Sequence, residues 1–125
     1  MGKKTVVIAK PGKKAEVTTI DTSTRTLSKL VGGTIEVTHP LSDDIAVISN
    51  DNSIALGMLP NRGIYDGDGK LIDFYRGTMI FIGDHMENED FSSLTDTEIA
   101  VIMLLYGTPD IRAENGKDGV WKIFY

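Results

Sequence analysis

Leu94–Pro109, LTDTEIAVIMLLYGTP, is the stretch in which start, body and stop signals all agree on one structure. Thr95 as N-cap and Glu98 three residues on make a capping box, in which each side chain satisfies a backbone N–H that the first helical turn leaves unpaired. Leu94 can pack on Ile99 as a hydrophobic staple. Ile99, Ile102, Met103 and Tyr106 recur at i, i+3, i+4 and i+7, and so share one face of a helix that Gly107 and Pro109 stop. That face needs a sheet to cover.

The remaining sequence supplies strands. Thr5–Ala9 and Ala15–Ile20 are β-branched and apolar around the Pro11-Gly12 turn, predicting an opening hairpin. Thr22–Val31 carries Leu27, Leu30 and Val31 at helical spacing behind an Asp21/Thr22 cap, with Gly32 as a left-handed terminator. Thr34–Thr38 alternates as a half-buried strand, and His39-Pro40 opens a loop. Ile45–Ser49 and Ile54–Met58 flank the turn residues Asn50-Asp51-Asn52, predicting a second hairpin. Pro60–Gly63 reads as a turn, and the segment up to Asp66–Gly69 as a loop with at most a short strand at Ile64-Tyr65. Leu71–Tyr75 and Thr78–Ile82 are strand-like, the second a continuous apolar run suited to the centre of a sheet. Gly83–Ser93 lacks periodicity and reads as an acidic surface loop. Beyond the late helix, Asp110–Gly119 is polar. Val120–Tyr125 is an aromatic strand that either completes the chain's own sheet or lies on a neighbouring subunit.

The whole predicts one α+β domain over residues 1–125, a mostly antiparallel sheet with two helices packed on one face. A doubly wound fold would need more helices between strands than these two patterns provide. The length suffices for a core without metals or disulfides, and cysteine is absent, which excludes a thiol nucleophile and a cysteine zinc site. No apolar run is long enough for a membrane span, and Val6–Ala9 is too short for a signal peptide, so the expectation is a cytoplasmic protein with no membrane partner. Thirteen basic and 18 acidic side chains give a net charge of -5, which disfavours nucleic acid as a partner. The charge is uneven: five lysines and no acid stand in the first 14 residues, whereas Asp84–Glu98 holds six acids and no Lys or Arg.

No catalytic or cofactor pattern stands out. Asp66-Gly67-Asp68-Gly69 opens like a calcium loop, but the fifth position is Lys70 and the twelfth is Gly77, so the ligand set fails. The acidic loop with His85 offers metal ligands without fixed geometry. No GxGxxG, P-loop, HExxH or GxSxG pattern occurs, and His39 and His85 read as solvated or capping. The polar stretch with most chemical content is Leu59–Gly63. Asn61 offers an amide that reads base or ribose edges, and Arg62 a planar fork for phosphate or carboxylate. Gly32, Gly33, Asn50 and Lys10 complete the candidate ligand-binding set.

Lys10-Pro11-Gly12, LSKLVGG at Leu27–Gly33 with Ile35-Glu36-Val37, LPNR at Leu59–Arg62, Gly77-Thr78 and DFSSLTDTE at Asp90–Glu98 follow one another in an order that resembles a family of small phage- and plasmid-associated proteins catalogued as a domain of unknown function. The stretch from Asp110 onward lies outside the resemblance. What the resemblance implies is a mobile-element setting and no reaction. The expectation that follows is a non-catalytic protein, without cofactor, that sequesters a small nucleotide-like ligand such as a host immune signal, with oligomerisation through the aromatic end. The alternative is an acidic-surface or DNA-mimic inhibitor of a host defence protein, using the Asp84–Glu98 run.

Overall fold

The computed structural model describes residues 2–110, 112–115 and 121–124, the last two segments by their backbone alone. In chain order the elements are β1 (Lys4–Ala9), β2 (Glu16–Ile20), α1 (Thr24–Val31), β3 (Ile35–Ser42), β4 (Ile45–Asn50), β5 (Pro60–Tyr65), β6 (Leu71–Arg76), β7 (Met79–Gly83), α2 (Asp96–Tyr106), β8 (Arg112–Asn115) and β9 (Trp121–Phe124).

Met79–Gly83, the unbroken apolar run, is buried at every position and takes the centre of a five-stranded sheet of order β2-β1-β7-β4-β3. Its neighbours are antiparallel, with Val7 opposite Phe81 on one side and Val47 opposite Phe81 on the other. The polar strand β2 occupies one edge, and β3, carrying Pro40, the other. Strands alternate their side chains between faces, so the sheet builds two cores. Val7, Val47, Met79 and Phe81 meet Ile102 of α2 and Tyr75 of β6, with Ile99, Met103 and Tyr106 packed alongside. Val6, Ala46, Ile48, Ile80 and Ile82 meet Leu27 and Val31 of α1.

The α+β class, the antiparallel sheet and the two helices are as expected. The helices, however, lie on opposite faces rather than sharing one, because α1 bridges from edge strand β2 to the far edge strand β3 across the face that α2 leaves open. The β5–β6 hairpin, a separate two-stranded sheet, fills the space beside α2.

Three local readings change. Pro60–Gly63 is a buried strand, not a turn, since its polar side chains find internal acceptors. Ile54–Met58 is no strand: Leu56 N–H donates to Asn52 O, Gly57 N–H to Ile54 O and Met58 N–H to Ser53 O, a series of tight turns. β3 continues through His39-Pro40, with its register to β4 interrupted between Thr38 and Ser42. Ser23, one residue beyond the expected pair, caps α1 by accepting from Thr26 N–H, and Gly32 terminates it at φ 83°. At α2 both halves of the Thr95/Glu98 capping box are formed. The aromatic ending pairs β9 with β8 in a hairpin of its own. The orientation of its side chains, together with Val120 and Tyr125, lies outside the described residues.

Candidate functional site

Arg62 and Asn61 have no solvent-accessible surface. The guanidinium sits in a cage of oxygens: Nε donates to Tyr106 O at 3.0 Å, Nη1 to Lys10 O at 2.9 Å and Asn61 Oδ1 at 2.8 Å, Nη2 to Lys13 O at 2.7 Å and Gly107 O at 3.3 Å. A guanidinium has five N–H groups, and all five are spent. Asn61 Nδ2 donates to Ala9 O and Gly77 O at 2.8 and 2.7 Å. Burial pushes the Arg62 pKa down while the nearby Asp110 opposes the shift. Asp110 is itself held, accepting from Gly63 N–H and from the Tyr65 hydroxyl. Asn61, Arg62 and Lys10 do come together, but Lys10 contributes its carbonyl. The corner ties the β1–β2 turn to the end of α2 and leaves no Arg62 donor for an outside anion.

Gly32, Gly33 and Asn50 form a second group. Asn50 Nδ2 donates to Val31 O at 3.1 Å, and Asn52 N–H donates to Asn50 Oδ1 at 2.7 Å. A Cβ on Gly33 would stand 3.1 Å from Asn50 Nδ2, and Gly32 adopts φ 83°, so both glycines serve the exit from α1. The Asn50 side chain, 2% exposed as a residue, fastens the end of β4 to the end of α1.

An open cleft of about 560 Å³ lies instead between the β3–β4 hairpin, the 51–55 turns and β6. Among the described residues Glu36, Asp51 and Asp73 place three carboxylates on it, and Arg76 is the only basic residue of the lining. The Arg76 guanidinium carbon stacks 4.3 Å from the centroid of the Phe74 ring. On the floor, the buried Tyr75 hydroxyl and Thr38 Oγ1 share a hydrogen bond of 2.7 Å. Burial raises the Tyr75 pKa against that hydrogen bond, and the charges of Glu36 and Asp73 add to the rise, so the phenol stays neutral. Sequence reasoning missed this site because Glu36, Asp51 and Asp73 are separated in the chain and converge only through the pairing of β3 with β4 and the docking of β6.

At the other end of the strands a third group forms. Asp84 N–H donates to Asp44 O at 2.8 Å, and the His39 ring lies 2.7 Å from Asp84 Oδ2. His85 Nε2 lies 2.9 and 3.0 Å from the two oxygens of Glu98, while its Nδ1 lies 2.8 Å from Ser92 Oγ. The hydrogen bond to Glu98 raises the His85 pKa; burial opposes, and the charges of Glu98, Glu87 and Asp44 add to the rise. His85, read from sequence as solvated or capping, is thus a bridge between the acidic loop and the first turn of α2. Among the described residues no three His, Cys, Asp or Glu side chains converge to hold a metal, and no helix is long and apolar enough to cross a membrane.

Residues 3–107 match the family model described as Domain of unknown function (DUF3846), which spans both cores, α2 and, apart from Asp110, all three polar groups. The chain belongs to this family. Asp110 and the β8–β9 hairpin fall beyond the part of the chain shared with it. No curated protein and no solved structure gives a significant match. Membership therefore covers the fold-bearing part of the chain and carries no activity with it.

Proposed function

We propose that this DUF3846 protein is a phage- or plasmid-borne capture protein that holds a small nucleoside-like molecule in the cleft between β3–β4 and β6. The observation that carries this reading is the composition of that cleft. Its volume of about 560 Å³ falls in the range of small-ligand sites. The Phe74/Arg76 stack offers a planar face against which a base can lie. Glu36, Asp51 and Asp73 are acceptors suited to ribose hydroxyls and exocyclic amino groups. Three carboxylates against one arginine repel a highly charged phosphate chain, so the nucleoside end of the ligand is the part recognised. This moves the site expected from Asn61 and Arg62 to the opposite side of the β5–β6 hairpin's sequence, at Asp73 to Arg76.

The test is thermal denaturation of purified protein with adenosine, ATP and cyclic dinucleotides, together with native mass spectrometry for a co-purified ultraviolet-absorbing ligand. Ligand at a hundred times its Kd stabilises by about 2.7 kcal/mol, which raises Tm by several degrees. Arg76→Ala and Asp73→Ala should abolish the rise while leaving the unliganded Tm unchanged. No shift with any of these compounds, and no co-purified ligand, overturns the proposal.

One observation favours a second reading, an acidic-surface inhibitor of a basic host defence protein. The Asp84–Asp44 backbone hydrogen bond joins the turn that carries the exposed Asp43 and Asp44 to the loop that carries the exposed Glu87, Glu89 and Asp90, and Asp44 and Glu87 both act on His85, so the acidic surface draws on more than a single loop. Binding through it would be salt-sensitive and lost on replacing Glu87, Glu89 and Asp90 with lysine. Unchanged affinity in that triple variant removes this reading.

A further inference from the structure

We propose that Ser92, His85 and Glu98 form a nucleophilic site that accepts neutral or cationic carboxylic esters, with Ser92 Oγ as the attacking atom. The site stands apart from the cleft. Ser92 forms a bridge to Gly83, which pairs with Ile45 at the start of β4, whereas the cleft is lined by Ser49 near the end of that strand.

The proton positions follow from the partners. His85 Nε2 lies within 3.0 Å of both Glu98 oxygens, and a carboxylate only accepts, so Nε2 carries the hydrogen. In the neutral ring Nδ1 is then a bare acceptor, and the Ser92 hydroxyl donates to it across 2.8 Å. This is the proton arrangement of a nucleophile, a general base and an orienting carboxylate, with the two ring nitrogens exchanged relative to the serine protease triad. Glu98 and Ser92 are each held from outside the group. Glu98 Oε1 also accepts from Thr95 N–H at 2.9 Å, which fixes the carboxylate in the first turn of α2. Gly83 and Ser92 exchange backbone hydrogen bonds of 2.9 and 2.8 Å. A Cβ on Gly83 would stand 2.7 Å from both Ser92 O and Ser92 Oγ, so the serine occupies its place only because residue 83 has no side chain. The side chains of His85 and Glu98 are 15% exposed, and Ser92 is half-buried, so the group is shielded without being sealed from solvent.

Ser92 Oγ attacks the acyl carbon of an ester, forming a C–O bond as its proton passes to His85 Nδ1; the Nε2–H···Glu98 contact stabilises the imidazolium. Collapse breaks the bond from the acyl carbon to the alkoxy oxygen, which takes the Nδ1 proton and leaves as an alcohol. A water then attacks the acyl carbon as it passes a proton to the same nitrogen; collapse breaks the acyl–Oγ bond, Ser92 Oγ takes that proton back to restore its hydroxyl, and the carboxylic acid departs. The groups facing His85 from its surroundings are Glu98 of α2, Glu87 of the acidic loop and Asp44 of the β3–β4 turn, all acidic, which sets the preference against anionic substrates.

The experiment is reaction of the folded wild-type protein with a neutral fluorophosphonate, followed by peptide mass mapping, and turnover of p-nitrophenyl acetate. A single adduct is expected on Ser92, absent after heat unfolding and absent in Ser92→Ala. His85→Gln should slow labelling at least about 100-fold, the usual weight of a general base. Glu98→Gln keeps an acceptor for Thr95 N–H and so preserves the helix cap while removing the charge; above the His85 pKa, where the ring is neutral, it should slow labelling with little change in Tm. The labelling rate should climb as pH passes upward through the His85 pKa, where the base becomes free. No adduct on Ser92 in the folded wild type, or equal labelling in His85→Gln, overturns the proposal and leaves a structural bridge.

Discussion

Arg62 shows how one residue can be conspicuous in sequence and serve a different end in the fold. Its planar fork is a sound reason to expect bidentate recognition, and recognition is what it performs, upon carbonyl oxygens of its own chain. Composition alone gives Pro60–Gly63 the look of a turn, because the acceptors that make it a strand lie far away in sequence, at residues 10, 13, 106 and 107. Lysine retains the charge but presents three hydrogens from one atom, which cannot span that set. Arg62→Lys should therefore lower the unfolding free energy by about 3–5 kcal/mol, as buried carbonyls lose their partners. Urea titration followed by circular dichroism measures this, and a loss within experimental error would mean that the cage bears no weight.

Among the elements, α2 was the most legible, because every signal that defines it is local. Thr95 and Glu98 are three residues apart, the staple Leu94 adjoins the cap, and Ile99, Ile102, Met103 and Tyr106 repeat at helical spacing on the side that meets the sheet. The same locality explains β7, whose unbroken apolar run already marked it as central. It fails for Ile54–Met58, where apolar residues of strand-like composition fold into turns, leaving Ile54 73% and Leu56 55% exposed. The helix is apolar on its outer side as well: Leu104 is 83% exposed, whereas Ile102 is 0%. Ile102→Ala should cost about 2–5 kcal/mol through the cavity it leaves. Leu104→Ala should stay within about 0.5 kcal/mol, and Thr95→Ala should cost about 1 kcal/mol by removing the cap. Equal losses for Ile102 and Leu104 would show that α2 packs by another face.

For the molecule as a whole, class was readable and topology was not. Antiparallel pairing and two helices followed from turn residues and periodicity. The insertion of β7 between β1 and β4, and the division of the helices between faces, depend on long-range pairings that no short window contains. The clustering of acids around His85 is also a product of topology, with contributions from the β3–β4 turn, the loop after β7 and α2. Their influence gives stability a pH dependence of definite sign. The His85 pKa is raised above its ordinary 6.5 by the Glu98 hydrogen bond first and then by Glu98, Glu87 and Asp44, so the folded state binds this proton more tightly than the unfolded chain. The contribution is fully present below 6.5 and is lost as pH rises through the folded value. Chemical denaturation across that interval should show stability falling with pH, with a shallower slope in His85→Gln; an identical slope would assign the dependence to other groups.

The Arg62 cage also bears on the order in which the protein assembles. Its oxygens come from both ends of the shared domain, 44 to 52 residues away from the arginine apart from its neighbour Asn61. A joint of that kind closes only after the opening hairpin and the late helix have both arrived, so the expectation is that it forms late, on the downhill side of the folding barrier. Arg62→Lys should then speed unfolding while leaving the rate of assembly almost untouched in a denaturant chevron, as expected of a latch on the finished molecule; an equal slowing of folding would make Arg62 a seed for its formation.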